Sequence, residues 1–235
     1  MPAWRSATAW CTLLAVFAAG LVADLWTKSW AFATVAGMPV VLAPREAVAD
    51  PSYRLPWHSG VRALPWDLLD FHLVVNHGAV FGIGQNARGW FIAFTVIAVA
   101  AGIVIFGWRT RASSRLAHIG LGLILAGGIG NLYDRFVFGA VRDFLHMLPR
   151  WNLPFGLSWP GGNREVFPWV FNIADVMLLA GMALLIIHAH REDARRAREA
   201  KAAVEGGAIP AASGASAASD RAPSDVGSSG GSIAP

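Results

Sequence analysis

The sequence predicts an all-α polytopic membrane protein: four transmembrane helices with a small β-containing region in the extracytoplasmic loops. Three observations predict it. The 235 residues are 55% hydrophobic and only 14% charged, with a mean hydropathy of +0.47, whereas charged residues make up about a quarter of a soluble domain. Four apolar runs, at 6–23, 89–108, 116–133 and 166–190, have the length of a membrane span, for which about 20 residues suffice. Lys and Arg are crowded into some connections and sparse in others, the asymmetry that orients membrane helices.

The helices are placed at about 6–30, 89–108, 116–134 and 166–190, within a four-helix transmembrane domain of 1–204. The first run leads straight into Asp24-Leu-Trp-Thr-Lys28 without a small-x-small cleavage pattern, so it is expected to stay as a helix and not to leave as a signal peptide. Its Cys11 is the single cysteine of the chain and has no intrachain disulfide partner. A long Pro- and Trp-rich loop follows. In it, Phe71-His-Leu-Val-Val75 reads as a short strand ending in the turn Asn76-His-Gly-Ala-Val-Phe-Gly82. Helices two and three form a hairpin through 109–115. Gly120, Gly122, Gly127, Gly128 and Gly130 in helix three permit close helix packing. The connection 134–168 holds Gly139, Pro149, Pro154 and Pro160 and is expected to be irregular. In helix four, Asp175 is expected about two turns in, roughly 9 Å from Trp169 at ~1.5 Å per residue. The Ala/Gly/Ser/Pro-rich stretch 205–235 reads as a disordered cytoplasmic tail.

Charge gives the orientation. The connection 109–115 holds Arg109, Arg111 and Arg115, and the stretch after helix four holds Arg191, Arg195, Arg196, Arg198 and Lys201. The connections 24–88 and 134–165 spread nine Lys and Arg over nearly a hundred residues. Both termini and 109–115 are therefore expected in the cytoplasm, with the long loops outside. The net charge of +4 follows from this topology and does not indicate nucleic-acid binding; the basic stretch would face anionic lipid headgroups. Of eleven Trp, Trp26, Trp30, Trp90, Trp108 and Trp169 fall near predicted helix ends, where amphipathic rings favour the interface.

The chemistry lies in the carboxylates. Asp24, Asp134, Asp143, Asp175 and, more remotely, Asp70 are placed toward the same end of the apolar segments, and two of them sit in a repeated pattern, Asn131-Leu-Tyr-Asp134 and Asn172-Ile-Ala-Asp175. An ionisable group at membrane depth costs about 2.5–3.5 kcal/mol on insertion scales, which makes Asp175 a functional candidate. Residues three or four apart share a helix face, which aligns Asp24 with Lys28, Asn131 with Asp134, and Asn172 with Asp175. Two nearby carboxylates in a partly dry site share one proton, and such a pair can act as general base and general acid on a water attacking an amide. Arg135 is suited to pairing with a carboxylate, Asp134 being its neighbour, and to fixing the loop.

Other chemistries lack their residues. There is no His-Glu-x-x-His element or other zinc-type cluster, no Gly-x-Ser-x-Gly element and no phosphate-binding loop, and Ser29 beside Lys28 is incidental. No metal or organic cofactor is implied. His77 in the turn is a candidate substrate contact. The alternative class is a small membrane transporter or proton-relay protein using Asp175 with Asp134.

Four blocks in order resemble the lipoprotein signal peptidases (signal peptidase II), bacterial membrane aspartyl proteases. They are Asp24-Leu-Trp-Thr-Lys28; Asn76-His-Gly-Ala-Val-Phe-Gly82; Gly127-Gly-Ile-Gly-Asn-Leu-Tyr-Asp-Arg135 with Gly139-Ala-Val-Arg-Asp-Phe144; and Phe171-Asn-Ile-Ala-Asp175. The resemblance implies a catalytic pair Asp143 and Asp175, a site shaped by Asn131, Asp134, Arg135 and Asn172, and supporting positions Asp24, Lys28, Asn76 and Gly78. It implies a diacylglyceryl-modified prolipoprotein substrate cut before its lipidated Cys, membrane lipids as surroundings, a monomer, and a bacterial plasma (inner) membrane location. The chain departs from the family pattern in its extra Pro/Trp-rich sequence around 43–67, in the long spacing from Asp143 to Asp175, and in the tail.

Overall fold

The computed structural model describes residues 1–78 and 88–206. Its helices are α1 (Ala7–Thr34), the single turn α2 (Arg45–Val48), α3 (Arg88–Val104, followed by a π-helical turn Ile105–Arg109), α4 (Arg115–Val137) and α5 (Ile173–Gly206). Its strands are β1 (Val61–Leu64), β2 (Leu69–Asn76), β3 (Val141–Met147) and β4 (Val170–Phe171), paired antiparallel in the order β1-β2-β3-β4. The chain forms two compact units, Met1–Glu192 and Asp193–Pro235. In the second, Asp193–Gly206 is helical; the expected tail lies, from 207 on, outside the described residues.

Three helices, Ala7–Thr34, Arg115–Val137 and Ile173–Ala203, are long and apolar enough to cross a membrane, and a shorter apolar helical stretch covers Thr95–Trp108. Leu14 and Val22 on α1 and Leu179 and Ile186 on α5 are exposed. On a water-soluble protein such a run of apolar surface would be a liability.

The expected fourth helix is corrected at both ends. Residues 166–171 are loop and strand, because β4 pairs Phe171 with Leu145 and Val170 with His146. The helix then starts at Ile173 and runs past 190 to Gly206. Asp175 is thus in its first turn, not two turns deep. The single expected strand is the second of four, and β2 and β3 carry the largest interface of the sheet. A bulge between Phe71 and Val74 shifts their register by one residue. A bulge re-aims the side chains beyond it, here those of Val74, Val75 and Asn76.

Three apolar clusters hold the parts together. Ala9 and Leu13 of α1 pack with Phe106, Leu121 and Leu125. Ala31, Phe32 and Val35 at the far end of α1 pack under Leu73, Phe144 and Leu145 of the sheet. Ala126 of α4 packs with Ala174 and Met177 of α5. The last contact requires glycine. A Cβ at Gly127 would collide with the Ala174 carbonyl oxygen, and one at Gly130 with Asp24 Oδ2. The expected role of the helix-three glycines is therefore met at the site itself.

Candidate functional site

The polar residues collect where α1, α4 and α5 meet the sheet. Asp24 and Lys28 are one helical turn apart on α1 and form a buried ion pair, Nζ to Oδ2 at 2.8 Å. Lys28 Nζ also lies 2.9 Å from Asn131 Oδ1 and 3.4 Å from Asp134 Oδ2. Its three protons are thus all directed to partners. Asp134 meets a second cation: Arg142 donates to it through Nη2 at 2.9 Å, through Nε, and through its backbone N–H at 3.0 Å. Asp24, Lys28 and Asp134 are fully buried and Arg142 nearly so. Two carboxylates and two cations balance, which such burial demands. Asp24 also reaches across to α5, where its Oδ1 accepts from the Ala174 N–H at 3.0 Å, satisfying one of the free donors at a helix start.

Beside this ionic layer lies a layer of amides and carboxylates. Asn172 is the N-cap of α5: its Oδ1 accepts from the Asp175 N–H at 3.1 Å, and Asp175 Oδ2 accepts from the Asn172 N–H at 3.2 Å. This is a reciprocal capping arrangement. Asn172 Nδ2 donates to Asp143 Oδ1 at 2.6 Å and to Asn131 Oδ1 at 3.1 Å. Asn131 Nδ2 donates to Asp175 Oδ1 at 2.9 Å. Asn76 Nδ2 donates to Asp143 Oδ2 at 3.0 Å while its own Oδ1 accepts from the Gly78 N–H. Each of the three amides has its oxygen held by groups that can only donate there: Lys28 for Asn131, the Asp175 N–H for Asn172, the Gly78 N–H for Asn76. Each NH2 is consequently turned toward a carboxylate.

Asp143 reaches the site because the chain turns back just past the end of α4, at Gly139. That residue's φ of +90 is a left-handed cap that turns the chain back into β3. Along β3 neighbouring residues point to opposite faces, so Arg142 meets Asp134 and Asp143 meets the amides. Asp143 is 1% exposed, and burial pushes its carboxyl up to about 8, with the charge of Asp175 adding to the effect. Asp175 is only half-buried.

The ten residues that the resemblance implies for the site fall into one connected network. Arg135 fixes the loop. It donates to the Gly78 carbonyl at 2.8 Å and the Asn131 carbonyl at 3.3 Å, tying the turn after β2 to α4, and the guanidinium on Asp134 is that of Arg142. Arg142 was missed by sequence reasoning. The signal was present: Asp24 and Asp134 at one depth exceed the charge of Lys28 and call for a second cation. Asp70 does not join the site; it pairs with Arg150 at 2.8 Å. His77 donates to the Val48 carbonyl at 2.6 Å, and Ser29 donates to the Leu25 carbonyl. Ala79–Gly82 of the second block lie outside the described residues. Among the described residues no group of three or more His, Cys, Asp or Glu is placed to hold a metal ion.

From Asn76 and Asp143 a cleft of about 610 Å³ opens along β2, walled by the loop through Tyr53, Trp57 and His58 and by Trp169.

Fold and site together define a helical membrane protein with two carboxyls, Asp143 and Asp175, linked through Asn131 and Asn172, the first of them at the foot of a cleft. The chain belongs to the signal peptidase II family, whose model matches residues 16–191. It is 37% identical over 144 residues to a lipoprotein signal peptidase of Methylobacterium radiotolerans, covering 59% of this chain and 75% of that one. It is 36% identical over 156 residues to one of Methylorubrum extorquens, covering 63% and 80%. A similar enzyme of Geobacillus thermodenitrificans is 45% identical over 113 residues, covering 48% and 61%. Among solved structures, a bacterial membrane enzyme determined by the in meso method at 2.3 Å shares the fold, with a TM-score of 0.56 and 24% identity, covering 78% of this chain and 90% of that one.

Proposed function

We propose that Asp143 and Asp175 are the catalytic carboxyls of this peptidase and that its substrate is a diacylglyceryl-modified prolipoprotein, cut on the N-terminal side of the lipidated Cys. As a member of its family the protein is an aspartic peptidase that removes signal peptides from prolipoproteins. The observation that carries the assignment of the pair is the set of three oriented amides. The side chains of Asn76, Asn131 and Asn172 take part in five N–H···O contacts among themselves and with Asp143 and Asp175, and Asn172 touches both.

In this reading Asp143 holds the shared proton and Asp175 is the base. Asp175 takes a proton from water as the water oxygen bonds to the scissile carbonyl carbon, and Asp143 gives its proton to the carbonyl oxygen. As the C–N bond breaks, Asp175 returns its proton to the departing nitrogen and Asp143 recovers one from the gem-diol. The products are a carboxylic acid and an amine, and both carboxyls end as they began. Asn131, Asn172 and Asn76 aim the carboxyls. Asp24, Lys28 and Asp134 fix Asn131 and the start of α5, and Arg135 with Gly78 holds the turn bearing Asn76.

The topology proposed has four spans, the second at Thr95–Trp108 and the residues before it, with both termini cytoplasmic and the sheet outside. Arg109, Arg111, Arg115 and the basic stretch of α5 support that orientation. The protein works as a monomer among the lipids of a bacterial inner membrane. The family sets aside the transporter reading of Asp175.

The test is a gel-shift cleavage assay in detergent with a diacylated prolipoprotein and the Asp143→Asn and Asp175→Asn variants. Each variant is expected to lose activity by about 10²–10⁴-fold, the usual worth of a general acid or base, while remaining inserted. Normal processing by both variants would overturn the pair.

A further inference from the structure

Arg142 adjoins Asp143 in the chain but lies on the other face of β3, away from the cleft on which Asp143 opens. Its guanidinium is closed in. The residue is 6% exposed, and its Cζ lies 4.3 Å from the centre of the Phe138 ring and 6.0 Å from that of Phe32. It makes four N–H···O contacts to Asp134. The backbone N–H donates to Oδ2 at 3.0 Å, Nη2 to Oδ1 at 2.9 Å, and Nε to the two oxygens at 3.2 and 3.3 Å. A planar guanidinium can grip both oxygens of a carboxylate in this way, and an ammonium group cannot.

The grip changes how Lys28 is shared. Its Nζ lies 2.8 Å from Asp24 Oδ2, 2.9 Å from Asn131 Oδ1 and 3.4 Å from Asp134 Oδ2. A neutral amide oxygen thus holds the ammonium more closely than a buried carboxylate does. The physical reason is that Arg142 already meets the charge of Asp134. With Lys28 on its oxygen, Asn131 turns its NH2 to Asp175 at 2.9 Å. Without the guanidinium, Lys28 would be left to meet both Asp24 and Asp134. Attraction in a dry site would draw it toward Asp134. The Asn131 oxygen would then keep the Asn172 amide and lose its charged donor.

We infer that Arg142 is a positioning residue of the cleavage reaction: by holding Asp134 it reserves Lys28 for Asn131, and Asn131 in turn aims Asp175. The inference rests on the reading of Asp143 and Asp175 as the catalytic carboxyls.

The experiment is a charge-balance cycle on cleavage of a diacylated prolipoprotein in detergent. Arg142→Gln removes one buried cation. Combining it with Asp134→Asn removes one charge of each sign and leaves Asp24 and Lys28 as a balanced pair. Arg142→Gln should lower kcat by about 10²-fold, the cost of a small misplacement at a reacting group. KM should stay close to wild type, because Arg142 is not among the residues lining the cleft. The alkaline limb of the pH–activity profile should move to higher pH, since loss of a nearby cation favours protonated carboxyls. A residue that only held the fold would leave that limb in place. The double variant should regain about tenfold in kcat over Arg142→Gln, as coupled neighbours do, and its limb should return toward that of wild type.

Wild-type kcat in Arg142→Gln, or a double variant no more active than Arg142→Gln, would overturn the inference. If Arg142→Gln does not fold, the double variant is compared with Asp134→Asn, which carries a surplus cation instead. The double variant should again have the higher kcat, and an equal or lower one would overturn the inference. Failure of wild type to cleave would overturn the peptidase reading itself, which separates the two failures.

Discussion

Asn131 and Asn172 are hydrogen-bonded to each other, Nδ2 of the second to Oδ1 of the first at 3.1 Å. Each then serves the carboxylate nearer the other helix or strand: Asn131 donates to Asp175, and Asn172 to Asp143. The two Asn-x-x-Asp elements are therefore cross-linked, and the orientation of one amide depends on the other. Lys28 sits at the root of this chain of donors, since its Nζ holds the Asn131 oxygen.

Asn172→Ala removes the N-cap of α5 and the amide that donates to Asp143 and Asn131. A lost cap costs about 1 kcal/mol, so the variant should fold with a modestly lowered Tm in detergent. Cleavage should fall much further than that loss of stability explains. A variant with the lowered Tm and unaltered kcat/KM would mean that Asn172 is a cap only.

The alkaline limb of the activity profile reports Asp143. In the proposed mechanism Asp143, its carboxyl raised to about 8 by burial, holds the proton at neutral pH, and kcat/KM should fall as pH rises through that value. Protonation of the partner carboxylate gives the acid limb, and a flat profile between about pH 4 and 9 would contradict the shared-proton scheme.

The same group makes the fold weaker at high pH. Because its carboxyl is raised above the ordinary 3.8, its contribution to stability is fully present below that value and is lost as pH rises through about 8. Asp143→Asn escapes this loss. The inactive variant should melt higher than wild type at pH 8 and nearly with it at pH 4, as thermal unfolding at the two pH values would show.

Lys28→Met keeps length and removes the charge, leaving Asp24 and Asp134 with Arg142 as their remaining cation. Breaking a buried pair costs about 3–5 kcal/mol, so a large drop in Tm is expected. Adding Asp24→Asn to Lys28→Met should restore part of it, because the two residues are in direct contact and their effects are not additive. A double variant no more stable than Lys28→Met would contradict the assignment of the loss to an orphaned carboxylate.

Gly127→Ala and Gly130→Ala test the approach of α4 to its neighbours. The first Cβ meets the Ala174 carbonyl of α5 and the second meets Asp24 of α1. Overpacking of this kind costs about 1–3 kcal/mol. Cleavage should fall in both, whereas Gly89→Ala, where a Cβ meets nothing within 4 Å, should behave as wild type in both assays.

Composition and local pattern were enough for the class of protein and for α1, α3 and α4 to within a few residues, and the resemblance pointed to residues that the fold collects into one network. Hydropathy, charge asymmetry and motif spacing are properties of short windows, and a buried carboxylate announces itself wherever its neighbours are apolar. Pairings between distant segments decided the rest. Residues 166–171 look like the start of a helix by hydropathy, but Phe171 completes a sheet whose other strands come from elsewhere in the chain. Asn131-Leu-Tyr-Asp134 and Asn172-Ile-Ala-Asp175 look alike on paper. Yet the second is a helix cap whose carboxylate stays half-open beside Asp143, and the first lies inside α4 with its Asp134 fully buried between Lys28 and Arg142. Which cation meets which carboxylate depends on the fold-back at Gly139 and on strand alternation along β3. Those are long-range geometries, and only the packed structure sets them.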